Sequence, residues 1–276
     1  MSKNYRVEIA NNTLEIIKNG FYKYNEKKIA IEKELEESLN NTFTIAPNDW
    51  NAILDIPIEN KFETEIIAKN CSTIEAIFQE KNGKIGVLNF ASAKNPGGGF
   101  LGGASAQEES LARSSNLYAT QIKDKAMYDF NKNQSSFLYS DYMIYSPNVL
   151  FWNDDNGDYF EKPLVVDIIT APAPNKGAML QHNRKEEIAE TEEVFRKRMD
   201  KVLAIASKQK VDTLILGAWG CGVFRNEPND VASLFKEIIS EKYAGAFKKI
   251  VFAVLSSSEK KSSFKYFESA FREQTI

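Results

Sequence analysis

Apolar positions recur along the chain with two different periods. Near the amino terminus Val7, Ala10, Leu14 and Ile17 fall three and four residues apart, which places them on one face of a helix. A polar, acidic stretch, 32–41, follows it. These segments are read as an amino-terminal extension, residues 1–60, packed on the remainder of a single domain spanning 1–276.

From Phe62 the pattern changes to the alternation Phe62, Thr64, Ile66 expected of a strand. Ser72 and Glu75 then have capping-box spacing and open a helix carrying Ile74, Ile77 and Phe78. Residues 84–90 read as a second strand, which completes a strand–helix–strand unit. Strand-like runs at 164–170, 211–217 and 250–255 continue the alternation. Helical patterns lie between and after them: Phe195, Met199, Val202 and Ala206; Leu234 and Ile238; Phe264, Phe267 and Phe271. The expected fold is α/β, with helices on both faces of a mixed, mostly parallel sheet. Ligands of such sheets bind in loops beyond the carboxyl ends of the strands. Residues 154–158, with Gly157, read as a solvated surface turn.

Composition narrows the chemistry. With Lys and Arg numbering 35 against 38 Asp and Glu, and both signs mixed along the chain, no general nucleic-acid binder is indicated. An anionic ligand would instead be held by backbone amides and helix ends. Cys71 and Cys221 belong to no paired motif and His182 is the only histidine, so neither a disulfide framework nor a metal site is expected, and no cofactor. No apolar run approaches the roughly 20 residues of a membrane span and the start lacks a secretion signal, so a cytoplasmic protein with no membrane partner is expected.

Candidate chemistry concentrates directly after the second strand. Residues 89–118 read NFASAKNPGGGFLGGASAQEESLARSSNLY and hold five of the fourteen glycines. Gly97, Gly98 and Gly99 let the backbone take positive φ and approach a ligand closely. A flexible surface loop has the same composition; its position between a buried strand and a helix favours binding. The nucleotide P-loop ending is missing, and the triple glycine does not follow the dinucleotide-binding spacing.

If Ser105 is the helix N-cap, Glu108 stands where a capping-box acid would bond the cap amide, and Glu109 points about 100° away without a structural role. Glu109 is therefore the leading candidate for chemistry. A second loop, GAWGCGVFRN at 217–226, offers Gly220 and Gly222 for close approach to a diphosphate, Val223 beside them, and Phe224 as an aromatic face. A helix beginning at Asn229 would add an anion site at its N-terminus. Cys221 reads as a small loop filler and His182 as a surface residue, with no nucleophile-elbow motif to support a triad.

At these residues the sequence resembles the bacterial-type poly(ADP-ribose) glycohydrolases of the macrodomain superfamily. The likeness lies in the triple glycine followed by Gln107, Glu108 and Glu109, in Asn89 to Ser92, in TAPAPN at 170–175 and in the GAWGCGVF loop. It implies a macrodomain-like three-layer α/β/α fold and cleavage of ribose–ribose bonds in poly(ADP-ribose), releasing ADP-ribose. By the same resemblance Glu109 is the catalytic glutamate and Glu108 holds the substrate ribose. Asn89 and Ser92 meet the distal ribose, and Gly220 to Phe224 form the diphosphate loop. One departure falls at VLFWND, 149–154, where the family leads one to expect an arginine after the phenylalanine.

Glycoside cleavage needs a proton donor and a base. Neighbours on a helix diverge, so Glu109 is expected to perform both transfers while Glu108 positions the ribose. A helix N-terminus favours the ionised carboxylate, so burial and the substrate diphosphate would have to raise the pKa of Glu109. Two alternatives stay open: a non-catalytic ADP-ribose reader, and a hydrolase of mono-ADP-ribose on protein or nucleic acid.

Overall fold

The computed structural model describes residues 1–80, 82–256, 262–272 and 274–275. Its centre is an eight-stranded sheet. Five strands form the parallel ladder: β4 (Glu65–Lys69), β5 (Ile85–Phe90), β7 (Tyr159–Ala171), β8 (Thr213–Leu216) and β9 (Lys249–Ala253). Antiparallel strands flank them: β3 (Phe43–Ile45) and β6 (Met143–Asn153) on one side, and β10 (Gln274–Thr275) on the other. The spatial order is β10-β4-β9-β8-β5-β7-β6-β3.

Side-chain alternation sends neighbouring residues of each strand into opposite layers. Val87, Ile168, Ile215 and Val251 face α4 (Thr73–Gln79) and Leu111 of α5 (Gln107–Ser114). Leu88, Ile169, Leu214, Ile250 and Phe252 face the opposite layer. That layer holds α3 (Trp50–Leu54), α9 (Lys185–Lys208), α10 (Pro228–Lys242) and α11 (Ser263–Ala270). The expected three layers and mostly parallel sheet are present.

Several elements differ from the sequence reading or were not read in it. The strand placed at Phe62 begins only at Glu65, because the amides of Lys61 and Phe62 bond the Gly245 carbonyl and the Thr64 hydroxyl donates to the Phe247 carbonyl (2.7 Å). The acidic stretch is a helix, α2 (Glu32–Asn41), and a hairpin of β1 (Phe21–Tyr24) and β2 (Lys27–Ala30) precedes it. Strand β6 left no alternation to read. Pro147 and Asn148, the latter at φ 54°, form a bulge where the pairing with β7 shifts between Ser146 and Val149. Proline is confined to such positions in sheets.

The amino-terminal segment is tied into the rest. Helix α1 (Lys3–Asn19) buries Ile9, Ala10, Thr13 and Ile16, a face that shares Ala10 with the expected one. Ala10 and Leu14 pack on Phe100 and Ala112, whereas Ile16 and Ile17 join Tyr22, Ile31, Leu35, Leu150 and Trp152. Strand β3 pairs with β6, and Trp50 and Ile53 enter the main core. No helix among the described residues is long and apolar enough to cross a membrane.

Candidate active site

Strand β5 delivers the chain to the carboxyl edge of the sheet, and a loop through the glycines returns it to α5. Phe100 anchors that loop: its ring is 1% exposed and lies 4.9 Å from the ring of Tyr118. Gly97 and Gly98 adopt φ of 67° and 58°, and Gly98 donates its amide to the Asn95 carbonyl (3.0 Å). Arg6 of α1 donates from Nε to the Gly103 carbonyl (2.8 Å), and Thr13 bonds the Arg113 carbonyl. The extension therefore supports both ends of the segment.

Ser105 does not cap α5. Ala106 occupies that position in extended backbone without a side-chain bond, so the expected capping box does not form. The reason is that Gln107 and Glu108 are engaged elsewhere. Gln107 accepts from the Phe90 amide (2.9 Å) and donates to the Leu88 carbonyl (2.8 Å), clamping the helix start to the end of β5. Glu108, 3% exposed, accepts at Oε2 from the Ser92 amide (2.7 Å). At Oε1 it accepts from Gln121 Nε2 (2.8 Å) and Asn89 Nδ2 (3.2 Å). Asn89 also reaches Thr170 Oγ1 (3.2 Å).

Glu109 accepts from the Gly99 amide (3.0 Å), which turns its carboxylate back over the glycine loop. Although successive side chains diverge around a helix, both carboxyls reach Gly98: a Cβ there would lie 2.4 Å from Glu109 Oε1 and 3.2 Å from Glu108 Oε2. Burial falls on Glu108. It pushes that carboxyl up to about 8 against the three donors, which pull it down, and Glu109 adds to the rise.

A cavity of about 640 Å³ opens beside these groups, within the range of ligand pockets. Ser92, Gly98, Gly99, Gln107, Glu108 and Glu109 line one part of it. Gly220, Cys221, Gly222, Val223 and Phe224 line another. Asn89 and Gly97 stand behind the wall: Asn89 is buried under Glu108, and Gly97 is packed against Phe100 and Tyr118.

The second loop is shaped by Asn226, whose Nδ2 donates to the carbonyls of Pro174 (2.9 Å) and Gly220 (3.0 Å). Phe224 is half-buried against Tyr139, with ring centroids 6.0 Å apart, and Val223 is 79% exposed. Helix α10 starts at Pro228, one residue before the expected Asn229, with Asp230 in its first turn after Glu227. It contributes nothing to the cavity wall among the described residues.

Burial, then Glu227 and Asp230, push the Cys221 thiol far up, so it is no thiolate nucleophile. His182 is exposed, stacked on Phe137 at 5.0 Å and outside the cavity. The turn at 154–158 is not merely solvated. Asp155 faces the cavity, receives the Ser72 hydroxyl, and has its carboxyl raised by burial.

A model of the microbial-type PARG catalytic domain matches residues 10–154, PARG being poly(ADP-ribose) glycohydrolase. The structure is similar to PARG from Thermomonospora curvata, with 36% identity, coverage of 97% of this chain and 100% of that one, and a TM-score of 0.91. The same enzyme bound to the inhibitor ADP-HPD matches with a TM-score of 0.89 at 36% identity and the same coverage. PARG from Deinococcus radiodurans in complex with ADP-ribose matches over 88% of this chain and 98% of that one, at 36% identity and a TM-score of 0.82. No curated protein sequence matches. The chain belongs to the microbial-type PARG family.

Membership makes the protein a glycohydrolase, and its fold follows the PARG structures in being macrodomain-like. The family resemblance leads one to expect an arginine after Phe151. Trp152 stands there instead, fully buried beneath Tyr22, Ile31 and Leu35 of the extension. Two residues escaped the sequence reading: Gln121 on α6 (Leu117–Lys123), which bonds Glu108, and Asp155. Neither sits in a motif. Only tertiary contact brings them to the site.

Proposed function

We propose that this PARG family member hydrolyses the ribose–ribose glycosidic bond of poly(ADP-ribose) through Glu109, with ADP-ribose as product. The observation that carries the reading is the convergence of Glu108 and Glu109 on Gly98, at the wall of a cavity bounded by two glycine loops. An ADP-ribose unit placed there lays its diphosphate along Gly220 to Phe224. The reading draws on the ADP-ribose complex of the D. radiodurans enzyme.

In this mechanism Glu109 gives its proton to the leaving ribose oxygen as the bond to the anomeric carbon weakens. The ring acquires oxocarbenium character, and water then attacks the anomeric carbon as Glu109 takes back a proton. Glu108 holds the ribose. Its three fixed donors give the carboxyl one orientation, and positioning of this kind supplies much of a catalytic advantage. Asn89 acts through Glu108, whereas Ser92, Gly98, Gly99 and Gln107 shape the wall.

Glu109→Gln tests the assignment. ADP-ribose affinity measured by calorimetry stays near that of the parent, while release of ADP-ribose from the polymer falls at least about 100-fold. Polymer degradation at the parental rate removes Glu109 from the chemistry. The whole chain is proposed to act as one domain in the cytoplasm, with residues 1–60 supporting the catalytic loop.

A further inference from the structure

A carboxylate offers about four lone-pair positions. At Glu108, Oε1 receives two N–H groups, from Gln121 and Asn89, and is saturated. Oε2 receives only the Ser92 amide, and it is the oxygen that a Cβ on Gly98 would meet. One position is left, on the oxygen next to Gly98 of the cavity wall: a lone pair when the carboxyl is ionised, its O–H when it is protonated.

Gln121 is wholly buried on α6, an element that supplies no residue to the cavity wall among the described residues. Its amide is committed to this contact, because its own Oε1 is buried without a hydrogen-bond partner among the described residues. A buried amide that gives its nitrogen to a carboxylate and leaves its oxygen unpaired would be replaced without loss if packing were its only task. The Tyr128 hydroxyl of α7 (Ala126–Asn133) is likewise buried without a partner among the described residues, and near enough to Glu108 to be raised by an ionised carboxyl there.

We propose that Gln121 is a positioning residue of the reaction: by occupying Glu108 Oε1 together with Asn89, it leaves Oε2 as the one carboxyl oxygen able to hydrogen-bond a hydroxyl of the terminal ribose. The inference rests on the reading that Glu108 holds that ribose. Without the Gln121 donor the carboxyl can turn about its last torsion, and the remaining position on Oε2 is no longer fixed.

The test compares two ligands that differ in that sugar. Gln121→Met keeps the side-chain length and removes the donor, and Gln121→Asn withdraws the amide; folding of each is checked by thermal unfolding. In a folded variant, affinity for ADP-ribose falls about tenfold, the size expected for one buried hydrogen bond. Affinity for ADP, which lacks the terminal ribose, stays within about twofold, and kcat/KM on polymer falls at least as far as ADP-ribose affinity. A structural role alone would weaken both ligands together or neither, and either result overturns the proposal. Glu109→Gln is assayed in parallel. Should that variant still degrade polymer, the glycosidase mechanism fails whatever Gln121 does; should it be inactive while Gln121→Met binds both ligands normally, only the positioning role fails.

Discussion

Gly98 and Glu109 are fitted to each other so closely that a single added methyl group would not go between them. A Cβ on Gly98 would lie 2.4 Å from Glu109 Oε1 and 2.9 Å from its Cδ. At φ 58°, L side chains are also disfavoured. The carboxylate is held in place by the amide of the next glycine, so displacing it costs that bond too.

Gly98→Ala is therefore expected to fold and to lose catalysis. Release of ADP-ribose from polymer should drop by about 100-fold or more, the effect of a displacement near 1 Å at a reacting group. Activity within a few-fold of the parent would mean that Glu109 need not stand where the structure puts it.

Glu108 makes stability depend on pH. Its carboxyl is raised in the fold, from an ordinary 4.5 to about 8, first by burial. Between those values the folded state binds more protons than the unfolded state, so stability is full below about 4.5 and is lost as the pH rises through about 8. The loss is on the order of a few kcal/mol. Glu108→Gln removes this contribution. Urea unfolding at acid and at mildly alkaline pH should show a shallower decline for the variant, and parallel declines would show that Glu108 titrates normally.

Phe100 joins the extension to the catalytic loop, buried between Ala10, Ala112 and Tyr118. Phe100→Ala should cost about 3–5 kcal/mol in denaturant unfolding. Because the loop loses its anchor, polymer hydrolysis should fall in molecules that remain folded. A destabilised protein with parental turnover would separate the anchor from the site.

The two glycines of the second loop should behave differently. A Cβ on Gly220, at φ 74°, would meet Asn226 Nδ2 at 2.6 Å and Ala173 Cβ at 2.7 Å, whereas one on Gly222 meets nothing within 4 Å. Gly220→Ala is expected to destabilise by about 1–3 kcal/mol and to weaken ADP binding. Gly222→Ala should melt with the parent. Equal melting temperatures for all three proteins would argue against the loop conformation.

Much of this molecule was written into local pattern. Four of the five parallel strands, the α4 cap at Ser72 and the long carboxyl-terminal helices were legible as apolar runs and periods of three to four residues, which depend only on backbone geometry, whereas the strand read from Phe62 begins at Glu65. The two glycine loops and the glutamates beside the first could also be read, since close backbone approach demands glycine. Strand β6 could not, because a proline bulge broke its alternation. The helix α2 and the hairpin before it were too short or too polar to declare themselves.

What only the folded chain decided was the division of labour within the site. By spacing alone Glu108 was a capping acid, yet in the structure it is the buried one, held by Ser92, Asn89 and Gln121 from three separate segments. Asp155 moved from surface turn to cavity wall in the same way. Local propensity sees a few residues at a time. Burial, and the direction in which a carboxyl's last lone pair points, are set by residues distant in sequence that meet only when the layers pack.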